Sequence, residues 1–234
     1  MMPDKWKRTF IMWSNTDEYE KKVIEANKII KDCFNQFKNP YLAFSGGKDS
    51  VAMLHLVLQI MPDIPVWLWD HGPYLIPRSM QNEIEENAKN QGVKIKNLFV
   101  RTSGQLNNPD ARWDYMRWYR TFFSNLSTLI DTKKWDCVFL GIRREESGAR
   151  KIRARDPFNY TIDRKIPQCY PLHEWTWRDV WACIISNNLP YLSHYDTYGA
   201  VQGYDKTRLC TFFDDEFQHK NSIDGILMPE FRNL

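Results

Sequence analysis

The sequence predicts an α/β fold in which a doubly wound parallel sheet of about five strands carries helices on both faces. Short apolar runs of strand length, at residues 41–44 and 64–69, alternate with longer segments of helical period. The first of these runs also passes through a glycine turn into a second apolar run at residues 51–61, which is long enough to be a helix. Alternating strands and helices are typical of a parallel sheet.

Composition limits the possible classes of protein. The 234 residues suffice for one α/β domain with a substantial core. Lysine and arginine number 32 against 29 acidic residues, so any contact with nucleic acid must rest on a local basic patch. No apolar run reaches the roughly 18 residues of a membrane span, and the N-terminus does not resemble a signal peptide, so we expect a cytoplasmic protein.

The five cysteines are widely separated and form no C-x-x-C pair. This pattern fits reduced thiols, and we expect neither a disulfide framework nor a dedicated metal site. The same spacing argues against an iron–sulfur cluster, which needs four ligands including close cysteine pairs.

Residues 16–37 place apolar side chains at steps of three and four, which predicts an amphipathic helix that ends before Pro40. We divide the chain into an N-terminal helical segment packed on the domain (residues 1–39), a central α/β domain (40–211) and a short C-terminal tail (212–234). Cys33 lies on the apolar face of the helix and is interpreted as core.

The glycine turn has the properties of an anion site. Glycine lets the backbone approach a ligand without a Cβ, and a helix N-terminus presents unpaired N–H groups. Lys48 adds a positive charge, while Asp49 is suited either to cap the helix or to hold a magnesium ion brought by a nucleotide. The predicted phosphate-binding residues are Ser45, Gly46, Gly47, Lys48, Asp49 and Ser50.

This turn lacks the spacing of a Walker motif. SGGKDS instead resembles the PP-loop, S-G-G-x-D-S, of the adenine nucleotide alpha hydrolase superfamily, which includes ATP pyrophosphatases and sulfonucleotide (PAPS) reductases. The resemblance implies a Rossmann-like, HUP-type sheet and, as ligand, ATP with Mg²⁺ or PAPS. We refer to residues 45–50 as the PP-loop.

The second strand, at residues 64–69, leads into Asp70 and His71. Ligands gather beyond the carboxyl ends of parallel strands, so we expect both residues near the nucleotide. Their position resembles the Asp-Thr-Gly turn of PAPS reductases, although for His71 a purely linking turn is an equal alternative. A helix over 77–91, stopped by Gly92, and a third strand over 93–100 follow.

The sequence predicts a helix over residues 110–130 that is rich in aromatic and arginine residues. We interpret this helix as core rather than as a base-stacking surface.

A fourth strand (135–141) leads into residues 141–150, here called the arginine segment. Guanidinium groups bind phosphate or sulfate bidentately. The segment resembles the family signature G-x-R-x-x-E-S-x-x-R, and its predicted binding residues are Gly141, Arg143, Arg144, Glu146, Ser147 and Arg150.

Basic character continues beyond the arginine segment. A solvated loop, a lid over the nucleotide and a nucleic-acid contact through residues 143–165 all remain open. The residues concerned are Lys151, Arg153, Arg155, Arg164 and Lys165. Further on, Thr176 and Asp179 have the spacing of a capping box at the start of a helix, in a run similar to a third PAPS reductase hallmark.

Reductases of the family carry a reactive thiol on a C-terminal Cys-Gly-x-His segment, and the residues after Cys210 contain no cysteine. We therefore expect any reduction to need a thiol or sulfur donor protein. Cys210, which lies close to Arg208, is either a buried structural thiol or a nucleophile with a lowered pKa.

The resemblance leads to a function hypothesis: an adenine nucleotide-binding enzyme of a sulfur-transfer or modification pathway that cleaves ATP at the α-phosphate. Lys48, Arg143 and Arg150 would stabilise the charge on the leaving pyrophosphate. Alternatives are a PAPS- or APS-binding protein that relies on a partner for thiols, a nucleic-acid modification component, and a non-catalytic nucleotide sensor.

Overall fold

The computed structural model describes residues 1–72, 76–102, 115–160 and 166–207. The strands are β1 (Pro40–Phe44), β2 (Val66–Asp70), β3 (Leu98–Thr102), β4 (Cys137–Phe139), β5 (Phe158–Asn159) and β6 (Gln168–Cys169). The helices are α1 (Asp4–Ser14), α2 (Asp17–Gln36), α3 (Lys48–Ile60), α4 (Arg78–Asn90), α5 (Tyr115–Lys133), α6 (Gly148–Arg153), α7 (Trp177–Ser186) and α8 (His194–Gln202).

These strands form one sheet in the order β3-β2-β1-β4-β6-β5. All neighbouring strands pair in parallel except β5, which is antiparallel to β6 at the edge. The predicted doubly wound parallel sheet is confirmed, with the antiparallel edge strand as an addition. Strand order reverses between β1 and β4, and the carboxyl ends of strands at such a switch point are the usual ligand site of this architecture.

Each face of the sheet is covered by helices, as predicted. Leu42 and Phe44 of β1 pack into a cluster with apolar residues from α1, α2, α3 and α7. Tyr41 points to the other face, where its ring stacks on Trp135 at 4.3 Å between centroids and the cluster includes Leu126 of α5. Among the described residues, no helix is both long and apolar enough to cross a bilayer.

The N-terminal helices attach to the domain through α7. Asp179 is fully buried and accepts hydrogen bonds from Trp13 Nε1 at 2.7 Å and from Lys22 Nζ at 2.8 Å. The predicted capping box is present: the side chains of Thr176 and Asp179 each accept a hydrogen bond from the backbone N–H of the other residue. The division at residues 39 and 211 stays a prediction, and residues 212–234 lie outside the described ranges.

Two predicted elements differ from the structure. Helix α3 begins at Lys48 rather than at residue 51, so Lys48 and Asp49 belong to its first turn. The strand predicted over 93–100 is wrong in its first half, where Ile95–Asn97 form a 3₁₀ turn before β3. The Val-Lys-Ile-Lys alternation imitates a strand, but Ile95 is 80% exposed and Asn97 Nδ2 donates to the Asp63 carbonyl instead.

Candidate phosphate-binding site

The PP-loop joins β1 to α3 at the switch point, and its backbone requires glycine at one position. Gly46 has φ of +77°, a left-handed conformation that side chains disfavour. A Cβ there would lie 2.5 Å from Cγ1 of Ile84 on α4. Helix α4 therefore packs directly against the loop, which leaves no space for a side chain.

Hydroxyl groups hold the loop in shape from within. The Ser45 N–H donates to Ser50 Oγ at 3.4 Å, and Ser50 Oγ donates to the Gly47 carbonyl at 2.8 Å. The Gly47 N–H in turn donates to Ser45 Oγ at 3.3 Å. These three bonds close the turn locally, so the loop is formed before any ligand arrives.

Lys48 does not extend into solvent as a free charge. It is only 2% exposed, and its Nζ donates to the Thr207 carbonyl at 3.0 Å and lies 3.6 Å from Asp49 Oδ2. Its backbone N–H, in the first turn of α3, donates to the Tyr195 hydroxyl at 3.0 Å. Lys48 thus connects the PP-loop to α8 and to the chain that follows it.

A buried ion pair connects the PP-loop to the arginine segment. Arg143 is almost fully buried, and its Nε donates to Asp49 Oδ1 while its Nη1 donates to Glu145 Oε1 at 2.8 Å. Burial raises the pKa of Asp49, but Arg143 and Lys48 lower it by more, so the carboxyl stays ionised below its usual range. Burial lowers the pKa of Arg143, yet Asp49 and Glu146 leave it raised.

Gly141 lets the two segments approach backbone to backbone. A Cβ at this position would lie 3.0 Å from the Asp49 carbonyl carbon, 3.1 Å from its oxygen and 3.1 Å from the Ser50 nitrogen. A side chain would push β4 and the first turn of α3 apart. The two predicted signatures are therefore in direct contact in the fold.

The rest of the arginine segment is organised by carboxylates. Glu146 accepts from the Arg143 N–H at 3.0 Å through one oxygen and from Arg150 through the other. Ser147 caps α6 by accepting from the Arg150 N–H at 3.2 Å. Arg144 donates to Glu174 near the surface. The structure thus brings the predicted residues together, but each guanidinium is bound to a carboxylate.

Asp70 and His71 lie at the carboxyl end of β2, beside β1. Asp70 accepts a hydrogen bond from the Gly72 N–H at 2.8 Å. It also accepts hydrogen bonds from both terminal guanidinium nitrogens of Arg78. Burial raises the pKa of Asp70, and Arg78 reverses this so that the pKa is lowered. The His71 side chain is half-buried, and its desolvation lowers the pKa to about 4, so the ring is neutral at pH 7. Their roles toward a ligand stay predictions.

Basic residues beyond the arginine segment form α6 and the turn after it. Arg153 donates to the Tyr170 hydroxyl at 3.1 Å and to Gln168 Oε1 at 2.8 Å, which ties it to β6. Lys151 and Arg155 are exposed. Arg164 and Lys165 lie outside the described residues, and the lid and nucleic-acid hypotheses stay predictions.

The four described cysteines are buried in the core. Cys33 Sγ lies 3.6 Å from Cys137 Sγ, which confirms the interpretation of Cys33 as a core residue. Burial raises the pKa of Cys183 to about 12, and the pKa of Cys169 is also raised, mainly by burial. None of these thiols is suited to nucleophilic attack. Cys210 lies outside the described residues.

Magnesium fits this loop poorly as a resident ion. Asp49, the carboxylate expected to hold it, already binds Arg143 and lies next to Lys48. Two cations beside one carboxylate disfavour a third. Among the described residues, no group of three or more His, Cys, Asp or Glu side chains is arranged to hold a metal ion. Any magnesium would have to arrive coordinated by the nucleotide itself.

Sequence reasoning missed Tyr195, His194 and Thr207, which contact Lys48 or lie close to it. Tyr195 and His194 begin α8, a helix without a clear apolar face, so hydrophobic periodicity gave no signal there. Thr207 contributes through its backbone carbonyl, which any residue could supply. The position of Tyr195 at the PP-loop depends on tertiary structure, since 147 residues separate it from Lys48.

Together, the sheet order and the two signature segments that meet at its switch point define an α/β protein of the PP-loop, HUP-type class. The family model for the phosphoadenosine phosphosulfate reductase domain matches residues 39–208. The chain belongs to this family.

Comparison with individual proteins agrees with this assignment. The chain is 31% identical over 200 residues to an uncharacterized protein of Methanocaldococcus jannaschii, covering 81% of this chain and 39% of that protein. It is 30% identical over 165 residues to the phosphoadenosine 5'-phosphosulfate reductase of Xanthomonas euvesicatoria, covering 66% of this chain and 65% of the reductase. It is 26% identical over 199 residues to sulfate adenylyltransferase subunit 2 of Maricaulis maris, with 73% and 64% covered.

The chain thus spans between 39% and 65% of the length of these curated relatives. Among solved structures, the PAPS reductase of Candida auris, a phosphate complex, superposes with a TM-score of 0.57 at 16% identity, covering 77% of this chain and 89% of that one. This likeness supports the fold.

Proposed function

We propose that this protein binds ATP at the PP-loop and transfers its adenylyl group to an acceptor, with release of pyrophosphate. The observation that carries the proposal is the buried cluster of Lys48, Asp49 and Arg143. It fixes two cations and the first turn of α3 on one side of a preformed glycine loop. Backbone amides at a helix N-terminus together with fixed cations favour a polyphosphate over a neutral ligand.

In this reaction a nucleophilic oxygen or nitrogen of the acceptor attacks the α-phosphorus. A new bond forms from acceptor to phosphorus, the bond to the bridging β-oxygen breaks, and pyrophosphate leaves with that electron pair. The acceptor releases its proton to water. Lys48 and the amides of α3 would stabilise the charge that develops on pyrophosphate. The similarity to a sulfate adenylyltransferase subunit supports transfer of an adenylyl group.

A second candidate is a sulfonucleotide-binding protein that acts on PAPS, favoured by 30% identity to a named PAPS reductase. Reduction would release sulfite and adenosine 3',5'-bisphosphate while two external thiols are oxidised to a disulfide. The described cysteines, Cys33, Cys137, Cys169 and Cys183, are buried, so at least one of the two thiols would come from a partner.

The test compares nucleotides on the intact chain. Calorimetric titration with ATP plus magnesium should show binding to the wild type. Lys48→Met should weaken this binding by about 10- to 100-fold, which corresponds to the free energy that a charge-assisted hydrogen bond contributes. Lys89→Ala, which removes an exposed lysine at the far end of α4, is the matched control and should bind as the wild type does.

The products then distinguish the candidates. Pyrophosphate together with AMP when water is the nucleophile, or together with an adenylylated product when an acceptor is added, supports adenylyl transfer, whereas ADP and phosphate contradict it. Sulfite formed from PAPS in the presence of dithiothreitol supports the second candidate. If neither ATP nor PAPS binds, both candidates are wrong.

A further inference from the structure

The first turn of α8 lies against the PP-loop, and hydrogen bonds to α4 hold it in this position. Ser193, just before the helix, donates its backbone N–H to Glu83 Oε1 at 2.7 Å and its hydroxyl to Oε2 at 3.0 Å. Glu83 belongs to α4, the helix whose Ile84 packs on Gly46. One helix therefore positions both the glycine turn and the start of α8.

Tyr195 places its hydroxyl at the anion-binding end of α3. The oxygen accepts the Lys48 N–H at 3.0 Å and would lie 3.8 Å from a Cβ at Gly47. Amides in the first turn of a helix are the groups that bind phosphate oxygens. A hydroxyl oxygen beside them is well placed both to satisfy the amide in the free protein and to donate its own proton to an arriving anion.

His194 is a buried polar side chain whose ring has no hydrogen-bond partner in the described part of the chain. It is 5% exposed, and neither Nδ1 nor Nε2 is bonded. Its ring packs against that of Tyr195 in a tilted arrangement, with centroids 4.0 Å apart and an angle of 35° between the ring planes. Burial, and secondarily Lys48, lower the pKa of His194 to about 4, so the ring is neutral at pH 7 and carries one N–H donor.

An unsatisfied buried donor costs free energy unless something binds it. Phenylalanine would fill the same space and stack on Tyr195 without that cost. The polar ring beside Lys48 is explained if its partner is supplied by a ligand. Since Lys48 lies nearby and the Tyr195 hydroxyl faces the amides of α3, that ligand is anionic.

We propose that His194 and Tyr195 form a second wall of the phosphate site, in which His194 donates a ring N–H to a phosphate oxygen of the bound nucleotide. The inference rests on the proposed function, because it concerns the same polyphosphate. It adds two binding residues that neither the PP-loop nor the arginine segment contains. It also implies that α8 contacts the phosphates rather than the base.

The decisive variant is His194→Phe, which keeps an aromatic ring packed against Tyr195 and removes both nitrogens. It should weaken binding of ATP, and of inorganic tripolyphosphate as a phosphate-only probe, by about tenfold or more. At the same time it should raise the melting temperature of the free protein by about 2–4 °C, because a buried unsatisfied donor is gone. If His194 were purely structural, its replacement would not lower the affinity for ATP while raising the melting temperature.

His194→Gln restores a donor and should recover most of the affinity. Tyr195→Phe should weaken the binding of both ATP and tripolyphosphate while leaving the contact between the two rings in place. The ring ¹⁵N resonances of His194 in the wild type should shift when ATP saturates the protein, which gives a readout that needs no variant at all.

The outcomes separate this inference from the proposed function. If the wild type binds neither ATP nor tripolyphosphate, the proposed function fails. If the wild type binds ATP and Lys48→Met weakens it, but His194→Phe binds normally or the His194 resonances do not move, only the second wall is wrong.

Discussion

The PP-loop and the arginine segment meet at the switch point of the sheet but are built in different ways. The PP-loop is closed by three hydrogen bonds among residues no more than five positions apart. The arginine segment depends on charge, and its central bond joins Arg143 to Asp49 across 94 positions. The first is a local backbone structure, whereas the second exists only in the folded chain.

This difference assigns separate tasks to the two segments. Under the proposed function, backbone groups and Lys48 of the PP-loop would bind the phosphates. In the arginine segment, the buried guanidinium of Arg143 first compensates Asp49. We expect substitutions in the arginine segment to affect stability more than substitutions that alter only the loop. The following predictions test that order.

The largest effect should come from Arg143→Met, which preserves the side-chain stem but leaves Asp49 with Lys48 alone. Removing one partner of a buried ion pair costs about 3–5 kcal/mol of the free energy of unfolding. Urea denaturation followed by circular dichroism measures it. Arg144→Met is the control, because Arg144 and Glu174 are 33% and 55% exposed and such pairs contribute about 0–1 kcal/mol. Equal losses in the two variants would contradict the comparison.

Gly141→Ala should have the next largest effect. The new Cβ meets backbone atoms of Asp49 and Ser50 at 3.0–3.1 Å, and backbone cannot move aside as a side chain can. We expect a loss of about 2–3 kcal/mol together with weaker ATP binding. Gly148→Ala is the matched control, since nothing lies within 4 Å of its Cβ. Unchanged stability in Gly141→Ala would show that the two segments are not tightly joined.

Gly46→Ala should cost about 2 kcal/mol, because it combines a left-handed backbone with a contact to Ile84. The double variant with Ile84→Ala separates these causes. Removing the Ile84 side chain should relieve the steric part, so the loss at position 46 becomes smaller in that background. Strictly additive losses would assign the whole effect to the backbone and leave α4 without a role in shaping the loop.

Much of this architecture could be predicted from sequence because its signals are local. The apolar strands, the glycine turn and the capping box of Thr176 and Asp179 all depend on residues within a few positions of one another. The start of α3 was predicted three residues too late, because Lys48 and Asp49 belong to the helix although the sequence places them in the glycine turn. Ile95 shows how alternation alone can imitate a strand.

The pairing of the charges was beyond sequence reasoning. Residue types predicted an arginine cluster that faces an anion, whereas the fold binds Arg143, Arg144 and Arg150 to carboxylates. The Tyr195 hydroxyl reaches the PP-loop from 147 positions away. Such contacts follow from the packing of α8 against α3 and α4, which no periodicity in a single sequence reports.

The smallest predicted effect is on the pH dependence of stability, which should differ between the PP-loop side and the arginine segment. Burial keeps the pKa of His194 near 4, below the roughly 6.5 of an unfolded histidine. Between these values the unfolded state binds more protons, so stability falls as pH decreases from about 6.5. At pH 5.5 the loss should be about 1 kcal/mol relative to neutral pH.

His194→Phe should remove this part of the decline between pH 7 and 5.5 in urea titrations. Glu174→Gln, a substitution beside the arginine segment, should leave the decline unchanged, because the buried His194 is still present. If the two variants follow the same pH profile as the wild type, the buried histidine is not what makes the PP-loop side sensitive to mild acid. The protonation of the other described histidines, whose pKa values are also lowered by burial, would then account for the decline.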